Sequence, residues 1–135
     1  MREKPFAEDL ARYKLKRAKE ELETARLLCE NVRWKAANNR AYYSIYYALT
    51  AVLSLETTAF KRHKDTLAYF NQHYVHTGKF SRELGRKIAT AEKIRNASDY
   101  DDFYIANKDE TQRQMETAEQ VIREAENFMQ GRAPQ

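Results

Sequence analysis

The sequence predicts an all-α protein, an up-and-down bundle of four long helices plus one short helix. Three observations predict it. Apolar residues recur at alternating spacings of three and four over most of the chain, which puts them on one face of a helix. Gly occurs 3 times and Pro 2 times in 135 residues, too few for the turns of a β fold. Charged residues make up 33% and flank the apolar stripes, so they coat helices and do not mark a disordered chain. The length fits a single domain, 1–135, with its core over about residues 8–130.

The first helix is expected over about residues 8–30, on the seam Leu15, Ala18, Leu22, Ala25, Cys29. A short link at 31–33 makes the next helix its antiparallel neighbour. That second helix, about 34–56, is the centre of the chain. Ala41, Ile45, Ala48, Val52 and Leu55 form its core stripe, and Tyr42, Tyr46, Leu49 and Leu53 widen it. A helix apolar over so much of its circumference is surrounded by others. Residues 57–63 form a connection with a basic end. The short third helix, about 64–76, turns Leu67, Phe70 and Tyr74 inward, and Gly78 follows where a C-cap glycine belongs. The fourth helix, about 81–97, carries Leu84, Ile88, Ala91 and Arg95 on one stripe and ends in the acidic loop 99–102. Asn107 with Glu110 three residues on reads as a capping box. The fifth helix continues through Met115, Ala118, Ile122, Ala125 and Met129 to Gly131.

Several function classes drop out. Cys29 is the single cysteine, which excludes an internal disulfide and fits a reducing compartment. The first residues lack the apolar stretch of a signal peptide, and no apolar run approaches the ~20 residues that span a bilayer, so a cytoplasmic protein is expected. There is no glycine-rich phosphate loop, no cysteine pair for zinc and no Gly-x-Ser-x-Gly elbow. His73 and His76 stand three apart, but no carboxylates or cysteines at ligand spacing join them, so no metal and no cofactor are expected.

Charge is uneven along the chain. Residues 1–98 hold 20 Lys or Arg against 11 Asp or Glu, a net of +9; residues 99–135 hold 4 against 9, a net of −5. Basic and acidic helices lying side by side account for this, and a basic face for a polyanion accounts for it too. On the second helix, Arg40, Tyr43, Ser44 and Tyr47 occupy the remaining edge. A guanidinium on a mostly buried helix is costly unless something accepts its hydrogen bonds: a carboxylate, a carbonyl or a phosphate.

The segment Asn39-Arg40-Ala41-Tyr42-Tyr43-Ser44-Ile45-Tyr46-Tyr47-Ala48 resembles the signature of the HEPN domain family, the higher eukaryote and prokaryote nucleotide-binding domains. The resemblance is to its short prokaryotic branch. Phe60-Lys61-Arg62-His63-Lys64 is similar to that branch's Lys-x-His loop, Val75-His76-Thr77-Gly78-Lys79 to its Thr-Gly-Lys turn, and Arg95-Asn96-Ala97-Ser98-Asp99-Tyr100 to its Arg-x-x-x-Asp-Tyr element. The resemblance implies a HEPN-like helical bundle that dimerises, belonging to a toxin–antitoxin or defence module and paired with a small nucleotidyltransferase. Active members are metal-independent ribonucleases with an Arg followed after four to six residues by a His. There the His takes the ribose 2′-hydroxyl proton and the Arg stabilises the phosphate charge.

This chain departs from the pattern. After Arg40 the positions open to the His hold Ile45, Tyr46 and Tyr47. A positioned general base is worth about 10²–10⁴ in rate, so weak cleavage at most is expected, with Arg40, Tyr47 and His63 as catalytic candidates. Arg40, Tyr43, Arg62, His63 and Lys64 are the candidates for contacting RNA or nucleotide. A structural reading stands beside this: Arg40, Arg95, Asp99 and Tyr100 as a buried polar network, with Arg40 paired to Asp99. The expected partners are a second copy of the chain, a nucleotidyltransferase and RNA, with no membrane. The competing class is a non-enzymatic antitoxin or scaffold that binds a partner protein.

Overall fold

The computed structural model describes residues 3–56 and 63–131, with the side chains of 3–5, 63 and 64 outside that description. Five α-helices are present: α1 Glu3–Glu30, α2 Trp34–Ser54, α3 His63–Phe70, α4 Arg82–Tyr100 and α5 Lys108–Met129. No strand occurs among the described residues. The fold is the all-α bundle that the stripes require.

α1 folds back on α2 through Asn31, Val32 and Arg33. The Arg33 N–H donates to Leu28 O at 2.9 Å and the Val32 N–H to Cys29 O at 3.0 Å, which closes the helix end. The turn needs a left-handed residue, and Val32 takes it at φ +63° where glycine would sit without strain. α2 is then the hub, packed against α1, α3, α4 and α5. Ala37, Ala41, Ala48 and Ala51 are fully buried on it, small enough to let neighbours close in. At one such approach the Ser44 hydroxyl donates to Ala18 O of α1 at 2.7 Å.

The third helix differs from its expected span. α3 ends at Phe70 and the chain widens into a π-helical turn, Asn71–Val75. Apolar spacing does not reveal this, because Phe70 and Tyr74 still stack, ring centroids 5.1 Å apart, with Phe80 and Phe128 completing an aromatic cluster. Tyr74 and Tyr69 both donate to the carboxylate of Glu56, just past the end of α2. α4 is longer than expected and includes Asp99 and Tyr100 in its last turn. Its N-terminus is closed by Ser81, whose hydroxyl accepts from the Leu84 N–H at 3.2 Å. Behind Ser81 lies Glu124 of α5, buried, accepting from the Ser81 N–H and hydroxyl and, at 2.9 Å, from Gln120. A carboxylate is well placed at the positive end of a helix. The capping box of α5 is half made: the Glu110 N–H donates to Asn107 Oδ1 at 2.8 Å.

α1, whose basic residues are concentrated in its first two-thirds, and acidic α5 are neighbours, joined by the ion pairs Lys19–Glu126 and Arg26–Glu119. Part of the charge asymmetry is therefore balanced inside the bundle.

Candidate anion-binding site

Along the edge of α2 that faces α1 and α4, arginines and tyrosines alternate. Folding α1 back on α2 sets Arg17 opposite Tyr47 and Glu21 opposite Arg40. Arg40 Nη1 donates to Glu21 Oε1 at 2.9 Å. The other carboxylate oxygen, Oε2, lies 3.7 Å from Arg17 Nη2. The same Arg17 nitrogen donates to the Tyr47 hydroxyl at 3.2 Å, and its guanidinium lies over the Tyr47 ring, 4.8 Å from the centroid. Arg40 lies over the Tyr43 ring at 5.0 Å. From α4, Arg95 reaches the same tyrosines, 5.2 Å from the Tyr42 centroid and 5.9 Å from that of Tyr43. Its Nε donates to Asp99 Oδ2 at 2.8 Å, one turn further along α4.

Arg17 and Arg40 thus share the Glu21 carboxylate, Arg17 also lies 3.9 Å from Glu20 Oε1, and Arg95 is paired with Asp99. Burial works against the Arg95 charge, but Tyr43, Asp99 and Tyr42 outweigh it and its pKa is raised. The pKa of Arg17 is also raised, first by the hydrogen bond it donates to Tyr13, then by Tyr47. Burial, reinforced by the charge of Glu92 and opposed by Arg95, pushes the Tyr42 phenol up to about 12. The surroundings therefore favour the charged forms of Arg17 and Arg95 and the neutral form of Tyr42. Glu21 is only 13% exposed while Arg17 and Arg40 stand about one-third exposed, so solvent reaches the guanidiniums beside the carboxylate they hold.

The expected residues fall into groups. Arg40, Tyr43 and Tyr47 are brought together. Arg95 and Asp99 form their own pair, and Arg95 joins the cluster through the face of Tyr43. The expected partner of Arg40 is corrected: its carboxylate is Glu21 of α1, because Asp99 belongs to the last turn of α4 and is taken by Arg95 at i, i+4. Tyr100 is 77% exposed, so it is no part of a buried network. Arg62 and the side chains of His63 and Lys64 lie outside the described residues. On the π turn His73 stacks on Tyr69 at 4.1 Å, and just past it His76 Nε2 lies 3.4 Å from Asn71 Nδ2. Among the described residues, no group of three or more His, Cys, Asp or Glu is placed to hold a metal ion, and no helix is long and apolar enough to cross a membrane.

Arg17 and Glu21 were not singled out from the sequence. Their i, i+4 spacing is a common surface pattern. Only the antiparallel register of α1 on α2 marks them.

The fold and this edge define a class: a five-helix bundle with an arginine–tyrosine cluster centred on its second helix. The HEPN domain pattern matches residues 11–128, and the chain belongs to the HEPN domain family. It is 34% identical over 122 residues to the UPF0332 protein of Thermotoga maritima, covering 90% of this chain and 87% of that one. It is 31% identical over 112 residues to the protein named "Putative toxin MJ0605" of Methanocaldococcus jannaschii, covering 83% and 78%. A second protein of that organism, named "Putative toxin MJ0142", is 28% identical over 98 residues. Proteins named as toxins therefore stand among its relatives.

Proposed function

We propose that this chain is the HEPN-like component of a toxin–antitoxin or defence module, and that its Arg17–Glu21–Arg40 cluster engages the phosphates of RNA or a nucleotide. One observation carries the reading. A single carboxylate bridges two guanidiniums, one oxygen to each, with tyrosine rings on either side. A phosphate presents two oxygens in the same way and matches arginine geometry as well as a carboxylate does.

A non-enzymatic module is favoured over a nuclease by the residue at position 47. The hydroxyl of Tyr47 accepts from Arg17, where an active family member would hold an imidazole. Phosphate binding needs only the arginines; strand cleavage needs a proton acceptor as well. The partners proposed are a second copy, through surfaces that leave large apolar side chains exposed, and a nucleotidyltransferase.

The experiment is RNA binding by the purified chain across a salt series, without added metal. Binding at low salt should fall with a log–log slope of about −0.7 per phosphate contact, and Arg40→Ala should weaken it. Equal binding by Arg40→Ala moves the site elsewhere on the basic surface. No binding at low salt removes the RNA reading.

A further inference from the structure

Between the π turn and α4 runs a cleft of about 340 Å³ whose floor is Leu67, Phe70, Val75 and Ile88, all buried. A second hollow continues it, sharing Asn71, Val75, Gly85 and Ala89 and ending at His76, Arg82 and Arg86. Glu92 lines the opposite end. On α4 the lining positions 82, 85, 86, 89 and 92 fall on one helical stripe.

Two features of the backbone shape this cleft. The His76 N–H donates to Asn71 O at 2.9 Å, the wide bond of a π turn, and such turns often stand at functional sites. Across from it, Gly85 lets the turn come close: a Cβ there would stand 2.8 Å from Val75 Cγ1 and 3.5 Å from Asn71 Oδ1.

The two ends differ in charge. Arg82 and Arg86 are both exposed, and neither has a carboxylate partner among the described residues. Glu92 is half-buried and has no cationic partner among them. Along the helix axis Glu92 lies about 9 Å from Arg86 and about 15 Å from Arg82, at about 1.5 Å per residue. An apolar pocket of a few hundred Å³ with a small number of polar groups around it is the usual form of a small-molecule site. The charges narrow the class of ligand. Glu92 opposes a dianion or a bare apolar chain that reaches it, and the arginines oppose a cation at their end.

We propose that this cleft binds a small two-ended amphipathic molecule: an anionic group at Arg82 and Arg86, an apolar body over Leu67, Val75 and Ile88, and an ammonium or other hydrogen-bond donor at Glu92. The site is separate from the Arg17–Glu21–Arg40 cluster, so its failure would leave the phosphate reading untouched.

The test is a titration of the full chain with ω-aminooctanoate, followed by backbone amide chemical shifts. Wild type should saturate in the millimolar range, with the largest shifts at Val75, Gly85 and Ala89. Octanoate and octylamine each lack one end group and should bind about tenfold more weakly, the loss of one charged hydrogen bond. Arg82→Gln with Arg86→Gln should lower the affinity for ω-aminooctanoate to that of octylamine in wild type. Glu92→Gln should lower it to that of octanoate. Ala89→Trp, at an exposed position, should fill the cleft and abolish binding while melting like wild type. No saturable shift with any of the three compounds overturns the proposal. So does binding that survives Ala89→Trp, or shifts centred on Arg17 and Arg40. Equal affinity of wild type for all three compounds overturns the assignment of the two ends.

Discussion

At the scale of single residues, Glu21 and Tyr42 respond to their surroundings in ways that can be measured. Glu21 neutralises two arginines and stands where the proposed phosphate would have to sit. Because both arginines are partly exposed, the Arg40–Glu21 pair contributes about 1 kcal/mol to stability. Tyr42 has a pKa pushed up to about 12 by burial, against about 10 in the unfolded chain. Between these values the folded protein keeps a proton that the unfolded chain has lost, so stability falls as pH rises from 10 to 12. The full loss is about 3 kcal/mol, and Tyr42→Phe removes it. Urea unfolding at pH 9 and pH 11 should therefore show wild type losing about 1 kcal/mol more than Tyr42→Phe. Equal losses would mean that the phenol is not held neutral by the fold.

At the scale of elements, α4 is fixed at two points. Gly85 lets Val75 of the π turn approach to a distance no Cβ tolerates. Gly85→Ala improves helix propensity by about 1 kcal/mol, but it drives a methyl into Val75 and should be net destabilising by about 1–2 kcal/mol; an unchanged urea midpoint would show that the π turn yields freely. Glu124 binds α5 to the start of α4 through Ser81. Glu124→Ala leaves the half-buried Ser81 donors unmatched and should cost about 1 kcal/mol in the same measurement, whereas Glu124→Gln, which keeps an acceptor, should cost less. The long helices were readable because Leu15 to Cys29 and Met115 to Met129 keep a strict three–four spacing. The π turn was not, because one extra residue in a turn leaves the Phe70–Tyr74 pair intact. The end of α4 was misjudged by three residues because Asp99 reads as a loop residue until Arg95 pairs with it inside the helix.

At the scale of the whole molecule, the site is a product of register. Arg40, Tyr43 and Tyr47 were visible in the sequence, since a guanidinium on so apolar a helix demands an acceptor. The acceptor was not visible: Glu20, Glu21 and Glu23 look alike on α1 until the turn at 31–33 sets which one meets Arg40. The same register places Arg17 against Tyr47 and Ser44 against Ala18. Of the basic surplus, Lys19 and Arg26 are balanced by α5, while Arg17, Arg40 and Arg95 converge on the tyrosine edge with one carboxylate bridging the first two.

The central claim is that the guanidiniums held by Glu21 are a phosphate site. It is tested most directly by comparing Glu21→Gln with Arg40→Ala in RNA binding at low salt. Glu21→Gln removes the internal competitor and keeps the arginines, so affinity should rise by about fivefold, in keeping with the release of an ion pair of about 1 kcal/mol. Arg40→Ala should lower it, and the salt slope should become shallower by about 0.7. Affinity that stays level or falls in Glu21→Gln, in a variant that melts like wild type, would contradict the account and leave Glu21, Arg17 and Arg40 as a structural ion cluster.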